Sequence, residues 1–110
     1  MSKYNAQKTT VNGITFDSKK EANYYCELMM LQAGGVVKKF DMQVPYELQP
    51  GYRNRQGKKI RPIKYLADFV VEFKDGHKEV VDVKGFRTKE YELKKKLLLY
   101  KYPEILFKEV

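Results

Sequence analysis

A chain of 110 residues has room for one hydrophobic core and not two; roughly two-thirds of its unfolded surface can be buried, which suits a small sheet with helices and excludes a large substrate cavity. Lys and Arg number 22 against 14 Asp and Glu, a net charge of +8, which points to a polyanionic partner, nucleic acid before an anionic membrane surface. Nine Tyr, six Phe and 43% apolar residues exclude a disordered chain. The single cysteine, Cys26, excludes a disulfide framework or a Cys-rich zinc site and fits a reducing compartment. The opening MSKYNAQKTT has no leader-like apolar core, and no window approaches the ~18 apolar residues of a membrane span, so a cytoplasmic protein without membrane contact is expected.

Residues 1–12 are polar and aperiodic and read as a flexible N-terminal arm; the single domain is expected over residues 13–110. From Ser18 to Ala33, apolar Ala22, Tyr25, Cys26, Leu28, Met29 and Ala33 recur at helical spacing, and Gly34-Gly35 ends the run. Cys26 is expected to pack there as a small apolar residue. Val36 to Leu48 alternates as a first strand, with Pro45 marking an edge or a bend. Gly51 to Arg61 reads as a polar loop. Ile63 to Phe73 is a second strand, and the Asp75-Gly76 turn returns it into a third, Lys78 to Lys84. Thr88 caps a second helix from Lys89 to about Tyr100, with Tyr91, Leu97 and Leu98 on one face, and Glu104 to Val110 is a short closing strand. The order requires helices packed on a small mixed sheet, because neither layer can bury its face alone.

Chemistry concentrates on the second and third strands. Each holds a carboxylate, Asp68 and Asp82, among Val and Phe, where Asp is depleted. Side chains alternate along a strand, so Asp82 and Lys84 share a face and Val83 takes the other. The hairpin puts both acids at the same end of the ladder, in a register the sequence leaves open. Two carboxylates within ~4 to 6 Å repel, and a hard divalent cation such as Mg²⁺ relieves them. Glu72 and Glu79 read as surface charges, and His77 as an exposed turn residue. Ser18-x-x-Glu21 is a capping box, a purely structural use of Glu21 that a metal role does not exclude.

Asp68 followed by Asp82-Val83-Lys84 after a hairpin resembles the PD-(D/E)xK nuclease superfamily, with Ala67 in place of the name-giving proline. The resemblance covers nearly the whole chain, which more narrowly looks like the small phage and prophage endonucleases related to Holliday-junction resolvases. It implies an α/β fold of restriction-endonuclease-like type, an αβββαβ core with a four-stranded mixed sheet flanked by helices. It implies a Mg²⁺-dependent DNA endonuclease, with Mn²⁺ as a substitute, acting on branched or junction DNA in phage replication or recombination and leaving 5′-phosphate and 3′-hydroxyl ends. Asp68 and Asp82 would bind metal directly, the Val83 carbonyl would add a ligand, Glu21 would bind or orient a water, and Lys84 would position the nucleophilic water. A homodimer and the cytoplasm of a bacterial host follow from the same likeness.

Two groups of cations complete the expectation. Arg53, Arg55, Lys58, Lys59 and Arg61 crowd the loop before the second strand, where they can contact DNA phosphates, and Arg87, Lys89, Lys94, Lys95 and Lys96 lie beyond the third strand and on the second helix, as a DNA contact, Arg87 and Lys94 foremost, or as a solvated face. No base-reading motif is present, so backbone and shape recognition are expected. The alternative is a non-catalytic basic nucleic-acid-binding module in which the acids are structural.

Overall fold

Ser18 starts the first helix by accepting the Glu21 N–H at 3.1 Å, and Gly34 ends it by returning its own N–H to the Met30 carbonyl. A computed structural model describes residues 7–83 and 87–110. A hairpin of β1 (Thr9–Val11) and β2 (Ile14–Phe16) precedes α1 (Lys19–Ala33), which leads into β3 (Val37–Gln49). A small ribbon, β4 (Tyr52–Arg53) with β5 (Lys59–Ile60), links β3 to β6 (Ile63–Phe73); β7 (Lys78–Asp82), α2 (Lys89–Lys101) and β8 (Phe107–Glu109) complete the order.

The central sheet is four-stranded and mixed, in the order β3-β6-β7-β8, with only the β7–β8 pair parallel. Adjacent residues of β6 and β7 belong to opposite cores. Phe69, Val71 and Val81 pack with Ala22, Tyr24, Tyr25 and Leu28 of α1, whereas Val80 packs with Tyr91 and Leu98 of α2. The two helices therefore cover opposite faces of the sheet, the α/β architecture expected from the order of elements.

Four expectations need correction. The arm does not extend to residue 12: Thr9–Val11 pairs with Ile14–Phe16 around Asn12 and Gly13, at φ 53° and 78°. Both central residues are left-handed, the geometry Asn-Gly adopts at low cost in a two-residue hairpin. Cys26 is exposed and Tyr24 is buried in its place, because the α1 stripe runs through Ala22, Tyr25 and Leu28 with Tyr24 beside it. On α2, Tyr91 and Leu98 are buried but Leu97 is 40% exposed, one residue being a 100° turn of the helix. The segment from Gly51 to Arg61 is a pinned ribbon and not a plain loop.

The sheet also changes face within two of its strands. Phe40 and Met42 of β3 pack on the α1 side, but Val44, Tyr46 and Leu48 pack on the α2 side. On β6 Phe69 and Val71 face α1 while Tyr65 and Ala67 face α2. Alternation would keep each set on one face, so both strands cross over between the pairs Met42↔Phe69 and Val44↔Ala67. At the crossing stand Gln43, with φ at 54°, and Asp68.

Leu98→Ala is expected to cost about 2 to 5 kcal/mol in urea denaturation and Leu97→Ala under about 0.5 kcal/mol. Equal losses would contradict the assigned face of α2.

Candidate metal centre

Asp68 is the centre of the site because it sits where two regularities end at once. It occupies the face crossing of β6, and it lies one step beyond Phe69↔Val81, the last β6–β7 pair on that side. Continuing the register by one residue sets Asp68 opposite Asp82, which resolves the open register. The ladder does not continue: the Val83 N–H donates instead to Asp68 Oδ2 at 2.7 Å, a buried bond. A side-chain carboxylate has taken a ladder donor, so the strands part there.

Glu21 reaches Asp68 from the first turn of α1. Its own N–H is held by Ser18, and its carboxyl accepts the Asp17 N–H. The capping residue thus presents its side chain to the sheet, and the structural and chemical uses of Glu21 coexist. Glu21 and Asp68 are each 8% exposed. Burial first, then the neighbouring Asp68 carboxylate, which shares a hydrogen bond with it, push the Glu21 carboxyl up to about 7. Both line a cavity of about 270 Å³ whose other walls include Asp17, Gln43 and Phe69.

Asp82 is 1% exposed and belongs to the opposite side. Its Oδ2 accepts the hydroxyl of Tyr65, which packs in the α2 core. Burial and that bond push the Tyr65 hydroxyl well above its ordinary pKa, so it stays a donor. Val83 packs in the α1 core, as alternation predicted relative to Asp82. Lys84 lies outside the described residues. Among the described residues no three His, Cys, Asp or Glu side chains are grouped to hold a metal ion. The structure brings Glu21 and Asp68 together, and it puts Asp82 on the strand beside Asp68 with its Oδ2 on Tyr65.

Beyond Asp82, Glu109 gathers the charges that the sequence had offered to DNA. Its Oε2 accepts from the Tyr91 hydroxyl, from Arg87 Nε at 3.1 Å and from Lys95 Nζ at 3.2 Å. These bonds, that of Tyr91 foremost, hold its carboxyl down at about 2. Lys94 pairs with Glu90 one helical turn away at 3.3 Å. Arg53 Nη1 donates to the Gly57 carbonyl, whereas Arg55, Lys58, Lys59 and Arg61 are exposed. Glu72 is half-buried between Lys38 and Lys39, and Glu79 is half-buried, so neither is the freely solvated charge expected. His77 is exposed, stacked on Phe73.

Sequence reading missed Gln43, Tyr65 and Glu109. Alternation would have put Tyr65 on the same face as Phe69, so its approach to Asp82 has no sequence signal. Glu109 had one, since a closing parallel strand beside β7 puts its residues level with Asp82.

The chain belongs to the DUF1064 family, described as a protein of unknown function, whose profile matches residues 1–109. No curated protein is significantly similar to it. No helix among the described residues is long and apolar enough to cross a membrane.

The raised Glu21 pKa makes metal-free stability pH-dependent. The folded protein binds a proton more tightly than the unfolded chain, so the contribution is full below about pH 4.5 and is lost as pH rises through about 7. The loss is on the order of 3 kcal/mol. Glu21→Gln, which cannot ionise, is expected to abolish this part of the pH dependence and to exceed wild type in stability at pH 8 without divalent cations. Urea denaturation across pH 4 to 8 checks this, and parallel profiles for the two proteins would refute the assignment.

Proposed function

We propose that this DUF1064 protein is a Mg²⁺-dependent DNA endonuclease of the PD-(D/E)xK type. The observation that carries the reading is the Glu21–Asp68 pair, two carboxyl groups buried side by side in one cleft of a chain with net charge +8. Burying like charges together is costly, and a hard oxygen-liganded cation relieves it. The donor set fits such an ion in part: Glu21 and Asp68 are together, and Asp82 would join them by giving up its bond to Tyr65. Asp68, Asp82, Glu21 and the Val83 carbonyl would hold the ion. Bound there, Mg²⁺ would polarise a phosphoryl oxygen and lower the pKa of a coordinated water.

The protein's own groups do the rest. Val83 N–H fixes the Asp68 carboxylate, so its direction is set before any ligand arrives. Ser18 fixes the turn that carries Glu21, and Glu21 orients a water in the cleft. The phosphodiester would approach through the cavity that Asp17, Glu21, Gln43 and Asp68 line. Lys84 follows Asp82 and Val83 in the chain, and the role of positioning the attacking water rests on the motif. Branched or junction DNA is the preferred substrate class on the strength of the resemblance.

Wild type, Asp68→Asn and Asp82→Ala are to be incubated with end-labelled linear, nicked, forked and four-way-junction DNA in Mg²⁺, Mn²⁺ or EDTA. Cleavage is expected with either metal, none in EDTA, and losses on the order of a hundredfold or more in both variants. One observation favours a second reading, a non-catalytic nucleic-acid-binding module: Asp82 Oδ2 accepts from Tyr65 on the far face from Glu21. Intact DNA under every condition, with equal binding by all three proteins, would decide for that module.

A further inference from the structure

The segment between β3 and β6 carries five cations, Arg53, Arg55, Lys58, Lys59 and Arg61, and no carboxylate occurs between Glu47 and Asp68. A flexible loop of this composition would make diffuse phosphate contacts only. The segment is instead locked by its own hydrogen bonds. Asn54 Oδ1 accepts the N–H groups of Gln56 and Lys58 at 3.0 and 2.9 Å, and Arg53 Nη1 closes on the Gly57 carbonyl at 3.0 Å. Gly57 adopts φ 81°, a left-handed turn position that a glycine takes without strain. At the base, a Cβ on Gly51 would lie 3.1 Å from the Ile60 carbonyl and 3.2 Å from Pro62, so the two sides close tightly. The supporting strands are braced as well: the Tyr102 hydroxyl donates to the Glu47 carbonyl at 2.9 Å, and its ring packs on Tyr46.

We infer that β4–β5 is a preformed reading arm that enters the major groove of B-form duplex DNA. This rests on the nuclease reading only for the identity of the polyanion as DNA. A two-stranded ribbon, with strands about 5 Å apart and side chains on each flank, matches a major groove about 12 Å wide and exceeds the minor groove. Arg53 Nη1 and Asn54 Oδ1 are used in bonds within the ribbon. Arg55, Gln56, Lys58, Lys59 and Arg61 project from an exposed surface, where cations meet the flanking phosphates and Arg55 and Gln56 at the tip reach base edges. The spacing suits one duplex: Asp68 lies five strand residues beyond Ile63, roughly 17 Å, which is about half a turn of B-form DNA. A duplex held by the arm thus passes the acid cleft on the strand that carries both.

The test is binding in EDTA, where cleavage does not intervene, followed by fluorescence anisotropy on a 30-base-pair duplex. Three ligands are compared: the plain duplex, the same duplex with every cytosine replaced by glucosylated 5-hydroxymethylcytosine, which fills the major groove, and the plain duplex saturated with netropsin, which fills the minor groove. Glucosylation is expected to weaken binding roughly tenfold or more, and netropsin to change it less than about twofold. Asn54→Ala, which removes no charge, is expected to weaken binding several-fold with the salt slope unchanged. Lys58→Ala/Lys59→Ala is expected to lower that slope by about two. Equal affinity for the glucosylated duplex, no duplex binding, or wild-type affinity of Asn54→Ala would each overturn the inference. The groove signature without metal-dependent cleavage would instead reject the nuclease and leave the arm standing.

Discussion

The bond from the Val83 N–H to Asp68 Oδ2 is the contact on which the site depends. A backbone donor on an inner strand normally finds a backbone acceptor on the next strand, and a charged side chain in that role gives a stronger bond, about 1.5 to 3 kcal/mol net. The consequence is topological as well as energetic. β6 and β7 stop pairing at Phe69 and Val81, and the Asp68 carboxyl, held by Val83, lines with Asp17 and Glu21 the cavity between α1 and the sheet. Without that substitution the ladder would run on and Asp68 would be one more residue of a closed strand pair.

The distribution of charge follows the same logic. In a chain of net charge +8, the buried charged residues among those described are Glu21, Asp68 and Asp82, all of them acids. Desolvating carboxylates opposes folding, and each is only partly compensated: Asp68 by a main-chain donor, Asp82 by Tyr65, and Glu21 by the Asp17 N–H against the repulsion of Asp68. A fold that needed only stability would place Leu or Val at these positions, as it does at Val81 and Leu28. None of the buried charged residues among those described is a cation; several cations are tied to Glu109, Glu90 and Glu72, and others are exposed on the β4–β5 segment.

Helix and strand limits were legible in the sequence because Ser18, Gly34, Thr88 and Asp75-Gly76 are local signals acting within a few residues of themselves. Ile63–Phe73 and the start of both helices follow directly from them. That Asp68 and Asp82 lie at the same end of the ladder was legible, since the hairpin fixes that end, but the register was not, and the ladder stops at Phe69 and Val81, one step short of them. What was not legible depends on contacts distant in sequence. Alternation assumes that a strand keeps its faces, and the crossing at Gln43 and Asp68 breaks that assumption, so Tyr65 came to Asp82 unannounced and Asp68 came to Glu21 while Asp82, on a strand that keeps its alternation, stayed on the α2 side. Cys26 and Leu97 were misplaced for a simpler reason: when apolar residues outnumber the buried positions of a helix, hydrophobicity alone does not choose among neighbours.

The crossing also explains why one pair of strands serves both the cleft and the arm. Proximal to Gln43, β3 and β6 are covered by α1, and their inward residues build the floor beneath Glu21. Distal to it the same strands turn their apolar residues to α2, and Val44, Tyr46, Leu48 and Tyr65 find cover there with Tyr102 and Ile105. Had the strands kept one face throughout, their distal halves would have run beyond α1 with a bare apolar side, an edge prone to association. The change of face instead gives the protruding half a second helix to lean on. The β4–β5 ribbon is thereby carried on a braced support, and Asp68, at the hinge between the two halves, lies where the acidic cleft ends and the arm begins.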